Sequence, residues 1–126
     1  MRLYFAIIFI ALSSATGFGQ SAELSIDRAV FKFPKAYEGD ELIHDYKITN
    51  SGDAPLIISD YQVSCPCTKA HLPSKPILPG ETISLRVTFD TKGKYYFQDR
   101  TIQLTANTQK KMHTLRFKVQ VIPRNE

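Results

Sequence analysis

Strict two-residue alternation governs the second half of the chain. Ile83, Leu85, Val87 and Phe89 alternate with Thr82, Ser84, Arg86 and Thr88. Ile102, Leu104 and Ala106 alternate with Thr101, Gln103 and Thr105, and Leu115, Phe117, Val119 and Val121 with Arg116, Lys118 and Gln120. Successive side chains of a strand point to opposite faces, so this period gives one dry face and one wet face. A wet face is the mark of antiparallel sheets. The first half repeats the signal less cleanly, in Leu42, His44, Tyr46 and Ile48, and in Leu56–Ile58 with Tyr61 and Val63. Leu24, Ile26, Phe31 and Phe33 form one strand or two halves of a bent one. Turn residues separate the runs, among them Glu38-Gly39-Asp40, Asn50-Ser51-Gly52-Asp53, Leu78-Pro79-Gly80-Glu81 and Thr91-Lys92-Gly93-Lys94. About seven short strands of this kind predict an all-β, antiparallel β-sandwich of immunoglobulin-like type. There is no Trp, and Cys65 and Cys67 are too close in sequence to bridge two sheets, so the immunoglobulin core disulfide is missing. Residues 23–122 read as one unit, which a length of 126 residues also favours over a multidomain enzyme.

The first nineteen residues read as a leader. Arg2 precedes an unbroken apolar run from Leu3 to Leu12, followed by Ser13 and Ser14. The run is shorter than the roughly 18 residues a membrane span needs. Gly17 and Gly19 suit the small positions before a signal-peptidase cut, so cleavage is expected between Gly19 and Gln20. The expected parts are a signal peptide at 1–19 and a single domain at 20–126, with no stable membrane anchor after cleavage. No cysteine near the cut supports a lipid anchor. The full chain carries 16 Lys and Arg against 12 Asp and Glu, net +4, and loss of Arg2 leaves the mature chain at net +3. An exported chain meets an oxidising compartment, periplasmic or extracellular.

Four motifs in order resemble one family. Asn50-Ser51-Gly52-Asp53-Ala54-Pro55-Leu56-Ile57-Ile58 is similar to the N-x-G-x-x-P-L-x-I turn and strand of the DUF1573 family. Ser64-Cys65-Pro66-Cys67-Thr68 resembles its Cys-Gly-Cys-Thr, and Ile77-Leu78-Pro79-Gly80-Glu81 its Pro-Gly-Glu turn, followed by Ile83–Asp90 as its I-x-V-x-F-D strand. Asn107 fits the Asn after the penultimate strand. The resemblance covers residues 24–122. It implies an exported bacterial protein with an Ig-like sandwich related to the ASH and MSP domains, and it implies no activity. Pro66 stands in place of the family's Gly, and Phe33-Pro34 in place of Phe-Gly.

Cys65-Pro66-Cys67 is the constellation that bears on chemistry. In a flat strand the two Cβ atoms would lie about 7 Å apart, against the 3.5–4.5 Å of a disulfide, so a bond needs a tight turn. Three chemistries stay open. The pair forms a local disulfide or thiol pair that shapes the loop. Or its thiolates bind a soft metal such as copper, with His71 as a third ligand. Or it is a redox dithiol, although it lacks the Cys-x-x-Cys spacing at a helix start that lowers a thiol pKa. His44 and His113 read as partly exposed strand residues. Lys92, Lys94, Lys110 and Lys111 fall in turns, and Arg86, Arg100, Arg116 and Lys118 alternate along strands as a solvated surface. Were the last two strands to face outward together, they would offer a basic strip to anionic surface polymers. Tyr95, Tyr96 and Phe97 read as core or edge packing ahead of a glycan platform, because large aromatics dominate small cores.

No Ser/His/Asp order, metallohydrolase motif or phosphate loop is present, so no enzyme is expected. The expected function is an exported, non-catalytic binding or structural module of the bacterial cell envelope. It would need no cofactor and would hold an envelope protein partner by a sheet edge or by loops. Nucleic acid is not expected as a partner. The alternative is a copper-binding or thiol-redox accessory protein using Cys65 and Cys67.

Overall fold

The computed structural model describes residues 20–124. The leader and its cleavage point therefore lie outside the described residues, except for Gln20. Nine strands follow in order: β1 Leu24–Asp27, β2 Val30–Lys32, β3 Ala36–Tyr37, β4 Glu41–Asn50, β5 Ile58–Val63, β6 Thr68–His71, β7 Thr82–Asp90, β8 Tyr96–Ala106 and β9 Met112–Ile122. One sheet has the order β1-β4-β7-β6, the other β2-β9-β8-β5, with β3 also on β9. The two sheets form a sandwich of the expected immunoglobulin-like kind. Its seven principal strands carry the ABED and CFG arrangement.

The sheets are antiparallel as expected, except that the short strands β2 and β3 both run parallel to β9. Chain direction explains this. β1 is antiparallel to β4, and the chain then crosses to the second sheet without reversing. β5, β8 and β9 restore the direction of β1 by the time β9 is laid down, so the crossing strand meets β9 running the same way. The crossing happens at Arg28, in the left-handed region at φ 55°, and at Ala29, whose carbonyl accepts from Arg116 N at 2.8 Å. The bent strand of the sequence reading is thus two strands on two sheets. Between β2 and β3, residues 33–35 face only 119–120 of β9. Pro34, with no N–H to give a ladder, occupies this bulge.

The alternating residues fill the space between the sheets. Leu85, Val87, Phe89, Ile102, Leu104, Leu115, Phe117, Val119 and Val121 are all buried. Tyr46 is buried as well, and its hydroxyl crosses the core to donate to Arg116 O at 2.8 Å. Burial pushes this phenol's pKa up. β2 is clamped by rings: Phe31 stacks on His44 at 3.6 Å between centroids, and Phe33 meets Phe117 edge-on at 5.6 Å. Such pairs add to area burial.

Asn50, at the end of β4, is fully buried and ties three segments together. Its side-chain Nδ2 donates to Ala54 O at 2.7 Å and Ile77 O at 2.8 Å, and its Oδ1 accepts from Gly52 N at 3.0 Å and, more weakly, Glu23 N at 3.5 Å. Leu56 and Ile77, next to these partners, exchange two main-chain bonds of 2.8 Å and are both buried. The segment 21–23 lies across the turn so closely that a Cβ on Gly52 would sit 2.2 Å from Ser21 O and 2.5 Å from Glu23 N. Only glycine fits there. Asn107 fastens the other side of the same loop, accepting from Ile57 N at 2.7 Å and donating to Pro55 O at 3.0 Å.

Replacing Asn50 by Ala leaves Ala54 O and Gly52 N without this partner, weakens the hold on Glu23 N and takes one of its two bonds from Ile77 O, at about 1 kcal/mol or more for each orphaned group. N50A is expected to lose roughly 2–4 kcal/mol in urea unfolding at an unchanged slope. G52A should lose at least about 2 kcal/mol, because backbone must move. A variant of either kind with the parent's midpoint would disprove this junction's role.

Candidate functional site

The chain passes from the second sheet back to the first through Ser64–Cys67, between β5 and β6. Four residues make this crossing, and they fold into a tight turn. Thr68 N donates to Cys65 O at 3.1 Å and Asp90 N to Cys67 O at 2.9 Å. Cys65 and Cys67 are joined by a disulfide with Cα atoms 5.2 Å apart, shorter than the roughly 6.6 Å of a flat strand. Cys67 N also donates to Cys65 Sγ at 3.2 Å. Both cysteines are half-buried and Pro66 is exposed. A ring this small restricts the unfolded chain little.

The structure does not bring the three sulfur and imidazole groups of the metal reading together. His71 ends β6, four residues and roughly 13 Å further along an extended chain. It is exposed and lies opposite Arg86 of β7. The two sulfurs are bonded to each other and offer no thiolate. Among the described residues no group of three or more His, Cys, Asp or Glu is placed to hold a metal ion.

Two other sequence readings change. Arg100 does not belong to the solvated surface. On β8 it shares the parity of Ile102 and Leu104 and points between the sheets, with its guanidinium 5.8 Å from the Phe89 ring centroid. Nη2 donates to Gln98 Oε1 at 2.7 Å, while the buried Nε has no hydrogen-bond partner among the described residues. Thr68 Oγ1, cross-strand from Phe89, is likewise buried and unpartnered. Thr68 lines a groove of about 740 Å³ between the edge strands β5 and β6, with Tyr61, Val63, Pro66 and Lys69. The parity that buries Ile102 was the signal for Arg100; nothing in the sequence marked Thr68.

The aromatic run is the second correction. Tyr95, Tyr96 and Phe97 are 50%, 65% and 57% exposed and take no part in the core. Phe97 has the outward parity of β8. Tyr96 sits in the left-handed region at φ 67°, where a bulky residue is an outlier, and its ring also reaches solvent.

The two strand histidines are half-buried on inward-facing positions. Burial lowers the pKa of both; Asp45 partly offsets this for His44, and Lys110 adds to it for His113. His113 Nε2 meets Thr108 Oγ1 at 2.7 Å, and Lys111 N donates to the same hydroxyl at 3.2 Å.

Folded histidines with lowered pKa bind protons less readily than unfolded ones. Their contribution to stability is full above the ordinary value of about 6.5 and is lost as pH falls below it. The urea midpoint is expected to drop between pH 7 and pH 5, with a shallower drop in H44F. An equal drop in H44F would remove His44 from this account. Separately, the natively produced protein should alkylate at Cys65 and Cys67 only after reduction. The double Ser variant should lose no more than about 1–2 kcal/mol, given the small ring. Free thiols carrying copper would instead favour a metal role.

A family model described as "Protein of unknown function (DUF1573)" matches residues 24–121. Among curated proteins, none matches the chain. A protein of unknown function from Porphyromonas gingivalis W83 is 19% identical with a TM-score of 0.70, covering 90% of this chain and 51% of its own. This chain thus spans about half the length of that protein. The ASH/PapD-like domain 7 of human CEP192 is 14% identical with a TM-score of 0.59, covering 84% of this chain and 88% of its own. WR4, an MSP family member from C. elegans, is 11% identical with a TM-score of 0.50, covering 78% and 96%. At these identities the likeness is one of fold.

Proposed function

The chain belongs to the DUF1573 family, and on that footing we propose that it is an exported, non-catalytic binding module of the bacterial cell envelope. Its partner is a protein, held by main-chain pairing along the β5–β6 side of the sandwich. The leader-like residues 1–19 support export. The observation that carries the binding role is the groove between β5 and β6. Each of these strands is the outer strand of its sheet, so each leaves one row of main-chain groups without a ladder. Thr68 Oγ1 is buried in the wall between them without a partner. A buried hydroxyl left unpaired costs about 1–3 kcal/mol. An extended segment laid along the edge would supply that partner, and its alternate side chains would rest on Tyr61 and Val63. Pro66 of the disulfide turn lines the same groove.

Two results test this. A photo-crosslinking residue at Gln62, on β5, is expected to give a discrete protein adduct in the native envelope, and the same residue at Ser84, on the outer face of β7, none. Thr68→Val removes an unpaired hydroxyl, so it should leave the folded state as stable or more stable while reducing the Gln62 adduct several-fold. No adduct at Gln62, or equal adducts at both positions, would overturn the proposal.

A further inference from the structure

The outer face of the second sheet carries a combination that neither the core nor the β5–β6 edge uses. Strand register sets out its rows. Lys32 of β2, Lys118 of β9 and Asp99 of β8 lie side by side. One row away stand Val30, Arg116 and Thr101, and one row the other way Gln120 and Phe97. Tyr37 and Ile122 form the row beyond. Neighbours within a row are about 4.8 Å apart and rows about 6.8 Å apart. Between β2 and β3 the residues 33–35 leave the ladder with β9, beside a groove of about 620 Å³ lined by Lys32, Pro34, Lys35, Phe97 and Gln120.

The charges on this face do not balance. Arg116 is held in a two-pronged pair by Asp99, which leaves Lys32, Lys35 and Lys118 without an ion pair among the described residues. Beside them lies a 57% exposed Phe97 ring, and at the edge Tyr37 and Tyr96 are 52% and 65% exposed. Tyr96 holds its positive φ in the two residues leading into this face. Strained backbone persists only where its surroundings impose it.

We propose that this face binds an anionic polysaccharide, with Phe97 under the apolar face of a sugar ring and Lys32, Lys35 and Lys118 on carboxylate or sulfate groups of neighbouring residues. A flat face with rows several ångströms apart suits a polymer that repeats its charge every residue or two. One exposed ring among lysines supplies both halves of recognition: the charges attract any polyanion, and the ring selects one with an apolar face. Membrane insertion would need an apolar surface without lysines at its centre. Exclusion of nucleic acid rests on the exported location proposed above. The site is separate from the β5–β6 edge, so the two readings fail independently.

The test uses the full mature chain and measures binding to polygalacturonate and to dextran sulfate in 0.15 M salt, with neutral dextran and an oligodeoxythymidylate as comparisons. Binding to at least one acidic glycan is expected, with none to dextran. F97A should weaken it about tenfold at an unchanged unfolding midpoint, since the ring is not in the core. K32Q/K118Q should weaken it and flatten the salt dependence. Three outcomes overturn the proposal: no binding to either acidic glycan, an unchanged affinity in F97A, or oligodeoxythymidylate binding as tightly as the glycans.

Discussion

A single carboxamide holds the ends of this sandwich in register. Asn50 terminates the longest strand of the first sheet, and its four hydrogen bonds go to the turn that follows it, to the segment that precedes β1 and to the strand entering β7. These three pieces are far apart in sequence and touch through isolated main-chain bonds, from Ser51 N to Glu23 O, from Asp53 N to Ser21 O and between Leu56 and Ile77. A buried group that both donates and accepts pairs the main-chain atoms that these bonds leave over, Ala54 O and Gly52 N among them. An Asp in its place would have no donor for Ala54 O and Ile77 O, and a Gln would place its amide one methylene too far. Gly52 completes the constraint, because the segment 21–23 passes over it at a distance that admits no side chain.

The second organising fact is directional. The first strand changes sheets without turning round, and from that alone follow the parallel pairing with β9, the positive φ at Arg28 and the proline bulge. Phe31, Phe33 and His44 hold the crossing strand down. Their cluster joins the edge of the second sheet to the inner face of the first, so a weak parallel ladder of three residues gains the packing it lacks in hydrogen bonds. His44 is the polar member of this cluster, and burial lowers its pKa.

Much of the fold was legible in the sequence because alternation survives wherever one face is wet. The strands β4, β7, β8 and β9 follow their hydrophobic periods closely, and the Asn-Ser-Gly and Pro-Gly-Glu turns fall where their residue types demand. The parts that were not legible depend on partners distant in sequence. No local pattern tells a residue in β1 that its continuation will pair with the last strand. Thr91 is fully buried because its hydroxyl reaches the carbonyls of Tyr37 and Asp40 across the fold, and a Thr beside a Lys-Gly turn gives no hint of that. At Tyr95–Phe97 aromatic content argues for a core, while strand parity, counted back from Ala106, places Phe97 outside and Arg100 inside. Cys65 and Cys67 announced a local turn, but not which sheets it connects.

Early and late segments of the described residues are bound to one another. Ala22 bridges to Thr108, and among the described strands β2 and β3 pair with β9, which spans Met112–Ile122. β2 and β3 therefore wait for partners 85 or 86 positions further along the chain. A loop of that length must close before the parallel ladder contributes anything, so the second sheet gains this edge late, after β8 and β9 have paired.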